Sequence, residues 1–195
     1  MLSDLQRQKL AHLFHVMDAD GNGRMEAADL DRIARDLADK RGLDPQSERA
    51  RALRASHEGM WREVQPFVRG DGLSLDGFIA YHERILPEPG AFESSIGTLS
   101  DLVFTTLDAD DDGRITIDEQ RKFFEAYGID PDLADTVFPM WDTDENGFVS
   151  TAELAEVVRQ FFYSADPDSP GNWLFGPMFS DTAVDTGETD PEGGA

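Results

Sequence analysis

The chain has 195 residues, 39% of them hydrophobic, with 13 Phe and 3 Trp, which is enough apolar material for a buried core in one domain or two small ones. Its 40 acidic and 17 basic side chains leave a net charge of −23, which disfavours nucleic acid and anionic membrane surfaces as partners. There is no cysteine, which excludes disulfides, thiolate metal sites and cysteine nucleophiles.

The first residues, Met-Leu-Ser-Asp-Leu-Gln-Arg-Gln, lack the apolar segment of a signal peptide, and Leu2 stands where N-myristoylation needs glycine. No apolar run approaches membrane-spanning length, so a soluble, cytoplasmic, monomeric protein is expected. Ser3 and Gln6 have capping-box spacing, and Leu10, Leu13, Phe14 and Met17 then recur on one helical face. That helix runs into Asp18-Ala-Asp-Gly-Asn-Gly-Arg-Met-Glu-Ala-Ala-Asp29. Oxygens at positions 1, 3, 5, 7, 9 and 12, with glycine at 6 for the sharp turn, define the EF-hand calcium loop. Here they are Asp18, Asp20, Asn22, the Arg24 carbonyl, Glu26 and Asp29, with Gly23 at the bend. Aspartate at position 12 is one methylene shorter than the usual glutamate. A monodentate contact and greater tolerance of Mg²⁺ are therefore expected at this loop.

Leu30, Ile33 and Leu37 face inward on the exit helix, which should stop near Gly42. Asp44-Pro45 reads as an N-cap followed by proline at the first helical position, opening a helix through about Trp61. Placing Leu73 at position 8 makes Pro66–Gly77 a second twelve-residue slot. Its positions 1, 3, 5 and 12 are Pro66, Val68, Gly70 and Gly77, none with a side-chain oxygen, and Ser74 alone cannot hold an ion. This predicts an EF-hand that keeps its shape and has lost its ion, followed by an exit helix with Phe78, Tyr81 and Ile85 inward. Leu86-Pro-Glu-Pro-Gly90 reads as a linker between residues 1–90 and 91–163, each an EF-hand pair.

A helix from about Ser95, with Val103, Phe104 and Leu107 inward, leads into the most acidic stretch of the chain. Asp108, Asp110, Asp112, the Arg114 carbonyl, Thr116 and Glu119 fill every ligand position, with Gly113 at the bend and Ile115 at the pairing position. Packed closely without an ion, such carboxylates repel one another by roughly 1 kcal/mol per pair or more. Phe123, Phe124 and Tyr127 mark its exit helix, Gly128 a stop, and Asp130-Pro131 the next start, with Val137, Phe138 and Trp141 inward. The last loop is also complete: Asp142, Asp144, Asn146, the Phe148 carbonyl, Ser150 and Glu153, with Gly147 at the bend. Leu154, Val157, Val158 and Phe161 line the final exit helix.

Phenylalanine stands four residues before each intact loop, at Phe14, Phe104 and Phe138, so the chain is an internal repeat. One hand cannot bury its own apolar face, which predicts an all-α fold of four hands in two pairs with short antiparallel bridges between paired loops. Residues 164–195 form a tail. Its phrase Pro170-Gly-Asn-Trp-Leu-Phe-Gly-Pro177, with Met178 and Phe179, is too aromatic for a free tail and is expected to dock on the core; disorder is expected from Ser180. The four histidines, His12, His15, His57 and His82, match no nucleophile motif, so no enzyme is expected, and they are expected on helix surfaces or rims.

Intact first, third and fourth loops, a lost second loop and the aromatic tail phrase resemble the sarcoplasmic calcium-binding protein family, and most of all its calerythrin-like members. Aspartate at position 12 of the first loop, as at Asp29, also fits that family. The resemblance implies a compact all-α fold and high-affinity Ca²⁺ binding with Mg²⁺ competition, in a buffering or transport role. A tail-filled groove and only 6 Met, unclustered, favour a buffer over a sensor whose tail is released to a partner. A photoprotein or luciferin-binding relative is the third reading, with Trp61, Tyr81, His82 and Trp173 around a cavity, although the C-terminal proline of photoproteins is replaced here by Ala195.

Overall fold

The computed structural model describes residues 1–88, 90 and 97–178. The helix start expected at Ser95, the linker residue Pro89, Phe179 and the end from Ser180 lie outside the described residues.

Each helix that follows a loop is capped by the loop's ninth residue. Glu26, Ser74, Thr116 and Ser150 are the N-caps of α2 (Ala27–Lys40), α4 (Leu75–Ile85), α6 (Ile117–Ala126) and α8 (Thr151–Tyr163). The helices that enter the loops are α1 (Asp4–Met17), α3 (Glu48–Val64), α5 (Gly97–Leu107) and α7 (Ala134–Trp141). Ser3 caps α1 in the expected box with Gln6. After α2, Gly42 takes φ +64° and the Leu43 N–H returns to the Ala38 carbonyl at 2.9 Å, the ending that only glycine adopts without strain.

Two helix starts differ from expectation. Asp44-Pro45 does not cap α3. Its carboxylate and carbonyl accept from the N–H groups of Gln46 and Ser47 at 2.7 and 2.8 Å, closing a turn. Ser47 is the cap, accepting from Ala50 N at 3.2 Å, and α3 continues to Val64. Asp130-Pro131 likewise opens a 3₁₀ turn, Pro131–Leu133, before α7 begins. In both places the aspartate before proline stabilises a turn through its own side chain, and the helix waits for the next free N–H groups.

The loops pair through isolated antiparallel bridges at their eighth residues. Met25 and Leu73 exchange two N–H···O bonds of 2.9 Å, and Ile115 and Val149 exchange bonds of 3.0 and 2.8 Å. All four side chains are buried. Behind the bridges, one continuous apolar core takes in Leu10, Phe14, Leu30, Phe78, Phe104, Phe123, Phe138, Trp141 and Phe161 from both pairs. The two halves are further joined where α1 meets the end of α8. Gln6 Nε2 donates to the Phe162 carbonyl at 2.9 Å. Lys9, fully buried, donates to the carbonyls of Gln160 and Ser164 at 3.0 and 2.7 Å, and burial lowers its ammonium to about pKa 8.

His57 and His82 are not on the surface. Each is buried, and each ring bonds the carbonyl four residues back, Leu53 at 2.8 Å and Phe78 at 2.9 Å. That intrahelical bond satisfies one nitrogen and lets the ring face serve as core; His82 stacks on Phe162 with 5.6 Å between centroids. Burial lowers both imidazoles, His82 to about pKa 4. His12 and His15 are half-buried and exposed respectively.

The tail phrase lies against α8. Gln160 Oε1 accepts from the Ser169 hydroxyl at 3.0 Å and the Gly171 N–H at 3.1 Å, and Asn172 Nδ2 donates to the Asp166 and Pro167 carbonyls. Leu174 and Phe175 are buried, with the Phe175 ring 5.4 Å from Phe161, 6.0 Å from Tyr127 and 6.3 Å from Phe123. His12 Nε2 meets the Phe175 carbonyl at 2.7 Å, so the tail also touches the first hand. Gly171 permits this approach, because a Cβ there would lie 2.5 Å from Gln160 Cβ and 2.6 Å from both Phe161 N and Val157 O. Gly171→Ala is therefore expected to destabilise the protein by about 1–3 kcal/mol in equilibrium denaturation, as overpacking does elsewhere.

Candidate metal centres

The three acidic loops fold alike because the side chains at positions 1, 3 and 5 each accept from backbone N–H groups of the loop. In the first, Asp18 Oδ1 and Oδ2 accept from the N–H groups of Asn22 and Gly23 at 3.1 and 2.7 Å. Asp20 accepts from Asn22 N at 3.0 Å, and Asn22 Oδ1 from Arg24 N at 2.8 Å. The same set recurs at Asp108, Asp110 and Asp112, with bonds of 2.8 to 3.2 Å. It recurs again at Asp142, Asp144 and Asn146, with bonds of 2.8 to 3.2 Å. The bend glycines Gly23, Gly113 and Gly147 take φ of 81°, 81° and 89°. A second left-handed residue precedes each by two places: Gly21 at 69°, Asp111 at 61° and Glu145 at 56°. The fourth position carries the same constraint, and Gly21 was its visible sign.

One oxygen from each of Asp18, Asp20 and Asp29 lies within 4.8 Å of the others, and so for Asp142, Asp144 and Glu153. In the third loop that set is Asp108, Asp110 and Asp112. Glu119, buried, gives its oxygens to Ala109 N at 2.7 Å, Thr116 N at 2.8 Å and Thr116 Oγ1 at 2.9 Å. Glu153 is held in the same manner by Thr143 and Ser150. Burial acts to raise the Glu153 carboxyl, but the bonds from Ser150 and Thr143 prevail and lower it to about pKa 2. For Asp108 burial prevails: its carboxyl is raised, against the N–H bonds of Gly113 and Asp112 and with the help of Glu119.

Asp29 behaves differently. It accepts from Glu26 N at 2.8 Å, as Glu119 and Glu153 do from their own ninth residues. Those glutamates also span the loop to the second residue, at Ala109 N and Thr143 N. Among the described residues Asp29 makes no such second contact, which is the missing methylene seen directly. Among the described residues, no hydrogen bond is made to the carbonyls of Arg24, Arg114 or Phe148, so the seventh position offers a free oxygen in each loop. All-oxygen donor sets, clustered and mostly anionic, fit a hard divalent cation.

The second slot has been filled by its own chain. The entering helix ends in a 3₁₀ turn, Gln65–Phe67, and Gly70 at φ +73° tightens a hairpin bridged at Arg69 and Gly72. At Gly77, the twelfth position, a Cβ would lie 2.8 Å from Leu73 Cδ1 and 3.1 Å from the Phe67 carbonyl. Ser74 still caps α4, accepting from Gly77 N at 3.2 Å.

The residues considered for an enclosed ligand are engaged separately. Trp61 and His57 line an open cleft of about 200 Å³ between α2 and α3. Tyr81 donates to Glu63 at 3.0 Å, His82 stacks in the core, and Trp173 packs, partly buried, against the core. The cleft is smaller than the ~300 Å³ at which drug-sized sites begin.

The model of an EF-hand domain pair matches residues 101–171. A sarcoplasmic calcium-binding protein of Perinereis vancaurica tetradentata is 31% identical over 177 residues, covering 90% of this chain and 99% of that protein. The chain belongs to the sarcoplasmic calcium-binding protein family. It is thus a calcium-binding EF-hand protein. Calerythrin of Saccharopolyspora erythraea is 29% identical over 168 residues, covering 84% of this chain and 95% of that protein. Among solved structures, the calcium-loaded apo form of the coelenterazine-binding protein from Renilla muelleri has a TM-score of 0.70 at 22% identity, covering 90% of this chain and 99% of that one. The latter likeness is one of fold. No helix among the described residues is long and apolar enough to cross a membrane.

Within this family member the second slot is closed by packing as well as stripped of ligands. Gly77→Glu, which returns a carboxylate to position 12, is expected to add no Ca²⁺ site by calorimetric stoichiometry and to destabilise the fold by about 1–3 kcal/mol.

Proposed function

We propose that this protein is a Ca²⁺ buffer with three working loops, and that Mg²⁺ competes most strongly at Asp18–Asp29. The ligand sets of the reading are Asp18, Asp20, Asn22, the Arg24 carbonyl, Glu26 and Asp29; Asp108, Asp110, Asp112, the Arg114 carbonyl, Thr116 and Glu119; and Asp142, Asp144, Asn146, the Phe148 carbonyl, Ser150 and Glu153. The hand pairs divide near residue 90, with the tail as a third segment. Calcium, when bound, supplies the positive charge that the clustered carboxylates lack, while the backbone N–H groups already hold those carboxylates in place.

The observation that favours a buffer is the docked tail. A sensor works by exposing an apolar groove to a partner helix. Here Leu174 and Phe175 occupy that kind of surface on the third and fourth hands, fixed by Gly171, Gln160 and His12. The support for Mg²⁺ at the first loop is the short reach of Asp29. A small octahedral ion needs fewer protein oxygens than Ca²⁺ and keeps more water.

Calorimetric titration with Ca²⁺, with and without Mg²⁺, and with an apolar dye present in parallel, tests the reading. Three sites are expected, the first being the most weakened by Mg²⁺, with no rise in dye binding on saturation. In Asp29→Glu the Mg²⁺ effect at that site should shrink; selectivity that stays the same would refute the position-12 argument. Strong dye binding only with Ca²⁺ would point to a sensor instead.

A further inference from the structure

The third loop differs from the other two in charge. Its twelve residues hold six carboxylates, Asp108, Asp110, Asp111, Asp112, Asp118 and Glu119, against four in Asp18–Asp29 and four in Asp142–Glu153. It differs in its neighbours as well. Arg41, at the C-cap of α2, donates through Nη2 to the Thr105 carbonyl at 2.9 Å and to the Asp108 carbonyl. Arg49 of α3 donates to the Ala109 carbonyl at 2.9 Å and pairs with Asp111 Oδ1 at 2.7 Å. Both arginines come from the first hand pair and grip Asp108, Ala109 and Asp111, three of the first four residues of a loop in the second. Asp118 of the same loop is paired locally with Arg121 of α6 at 2.6 Å, which leaves Asp111 as the surplus carboxylate that Arg49 meets; among the described residues, no ion pair reaches a carboxylate of the first or fourth loop.

The grip matters because it fixes charge. An arginine free in solvent would swing away from an arriving cation, at little cost. These two are tied to backbone carbonyls, so their charges stay. Burial lowers the Arg41 guanidinium from its ordinary value, and Arg49 adds to that, while Asp111, Asp108 and Glu119 act the other way.

We propose that Arg41 and Arg49 set the ion affinity of the third loop from outside it, as two fixed positive charges that offset its surplus carboxylates and weaken its hold on a divalent cation. The proposal rests on reading Asp108–Glu119 as a cation site. Two effects act in the same direction. The arginines relieve carboxylate repulsion in the ion-free loop, and they repel a doubly charged ion in the filled one. The loop with most carboxylates is thereby brought toward the affinity of its neighbours, and all three fill over a narrower range of free Ca²⁺ than their acid content alone dictates.

The test is a Ca²⁺ titration of the full chain followed by backbone amide NMR. The N–H groups of Gly23, Gly113 and Gly147 each donate to the first carboxylate of one loop, so each reports its own site. In the Arg41→Gln, Arg49→Gln double variant the Gly113 midpoint should shift to on the order of tenfold lower free Ca²⁺ in low salt. The gain should shrink in high salt, with Gly23 and Gly147 unmoved. The Arg49 side chain is 38% exposed, so Arg49→Gln alone keeps the fold and should give part of the shift, about threefold. Arg41→Lys keeps the charge and should leave the midpoint near that of the parent. An unchanged or weakened Gly113 site in the glutamine variants overturns the proposal, since the arginines would then only hold the loop in shape. A Gly113 signal that ignores Ca²⁺ in the parent protein would instead refute the cation-site reading beneath it.

Discussion

Two backbone hydrogen bonds between Met25 and Leu73, and two more between Ile115 and Val149, hold each pair of loops together at their buried eighth residues. Everything else in the molecule is arranged about those bridges. A single helix-loop-helix unit cannot bury its apolar face, and the bridge brings a second unit to cover it. This explains why a loop with no ligands persists. Pro66–Gly77 has lost its ion chemistry, but Leu73 is fully buried at the bridge and the helices on either side still close the core over Phe14 and Phe78. Collapse of Gln65–Phe67 and close packing at Gly77 fill the space around which the other three loops gather their carboxylates.

In those three, one short set of residues does two tasks. The ninth residue caps the exit helix, and the twelfth accepts the ninth residue's N–H, which is capping-box chemistry. The same oxygens are offered to the cation. Helix start and ion site are therefore one object, and strain in either is felt by both. Shortening the twelfth residue by a methylene leaves the cap intact at Asp29 but gives up the contact across the loop that Glu119 and Glu153 make. The helix start is preserved while the contact across the loop is lost, which is the physical basis of the ion preference proposed for the first loop.

The periodic stripes, the loop spacing and the lost second slot were legible because each depends on local pattern: Leu10 to Met17, the alternating carboxylates, and Leu73 at a pairing position. What was not legible depended on distant partners. Nothing in the spacing of His57 and His82 separates them from histidines on helix surfaces or rims, yet an intrahelical bond to the carbonyl four residues back makes both usable as core. Lys9 sits four residues before Leu13, on the apolar face, and that placement was the available signal that it would be buried. Its partners, the last carbonyls of α8, are more than 150 positions away in sequence. The turns at Asp44 and Asp130 misled for a local reason, since an aspartate before proline can close a turn as readily as it caps a helix. Arg41 and Arg49 carried no signal at all until the fold placed them on the third loop.

The tail gives the molecule its character. It covers apolar surface on α8 and α6 and ties the second hand pair to α1 through His12, so that releasing it would expose Phe161 and Phe123 and cut a link between the halves. On the proposed reading, a protein organised in this way takes up calcium without presenting a new surface. Amide hydrogen exchange across Asn172, Leu174 and Gly176, whose N–H groups bond Ser169, Gly171 and Trp173, tests that most directly. With Ca²⁺ saturating, these amides should remain protected to the same degree as those of α8. Loss of their protection on calcium binding, with α8 still protected, would contradict the account and make the tail a released switch.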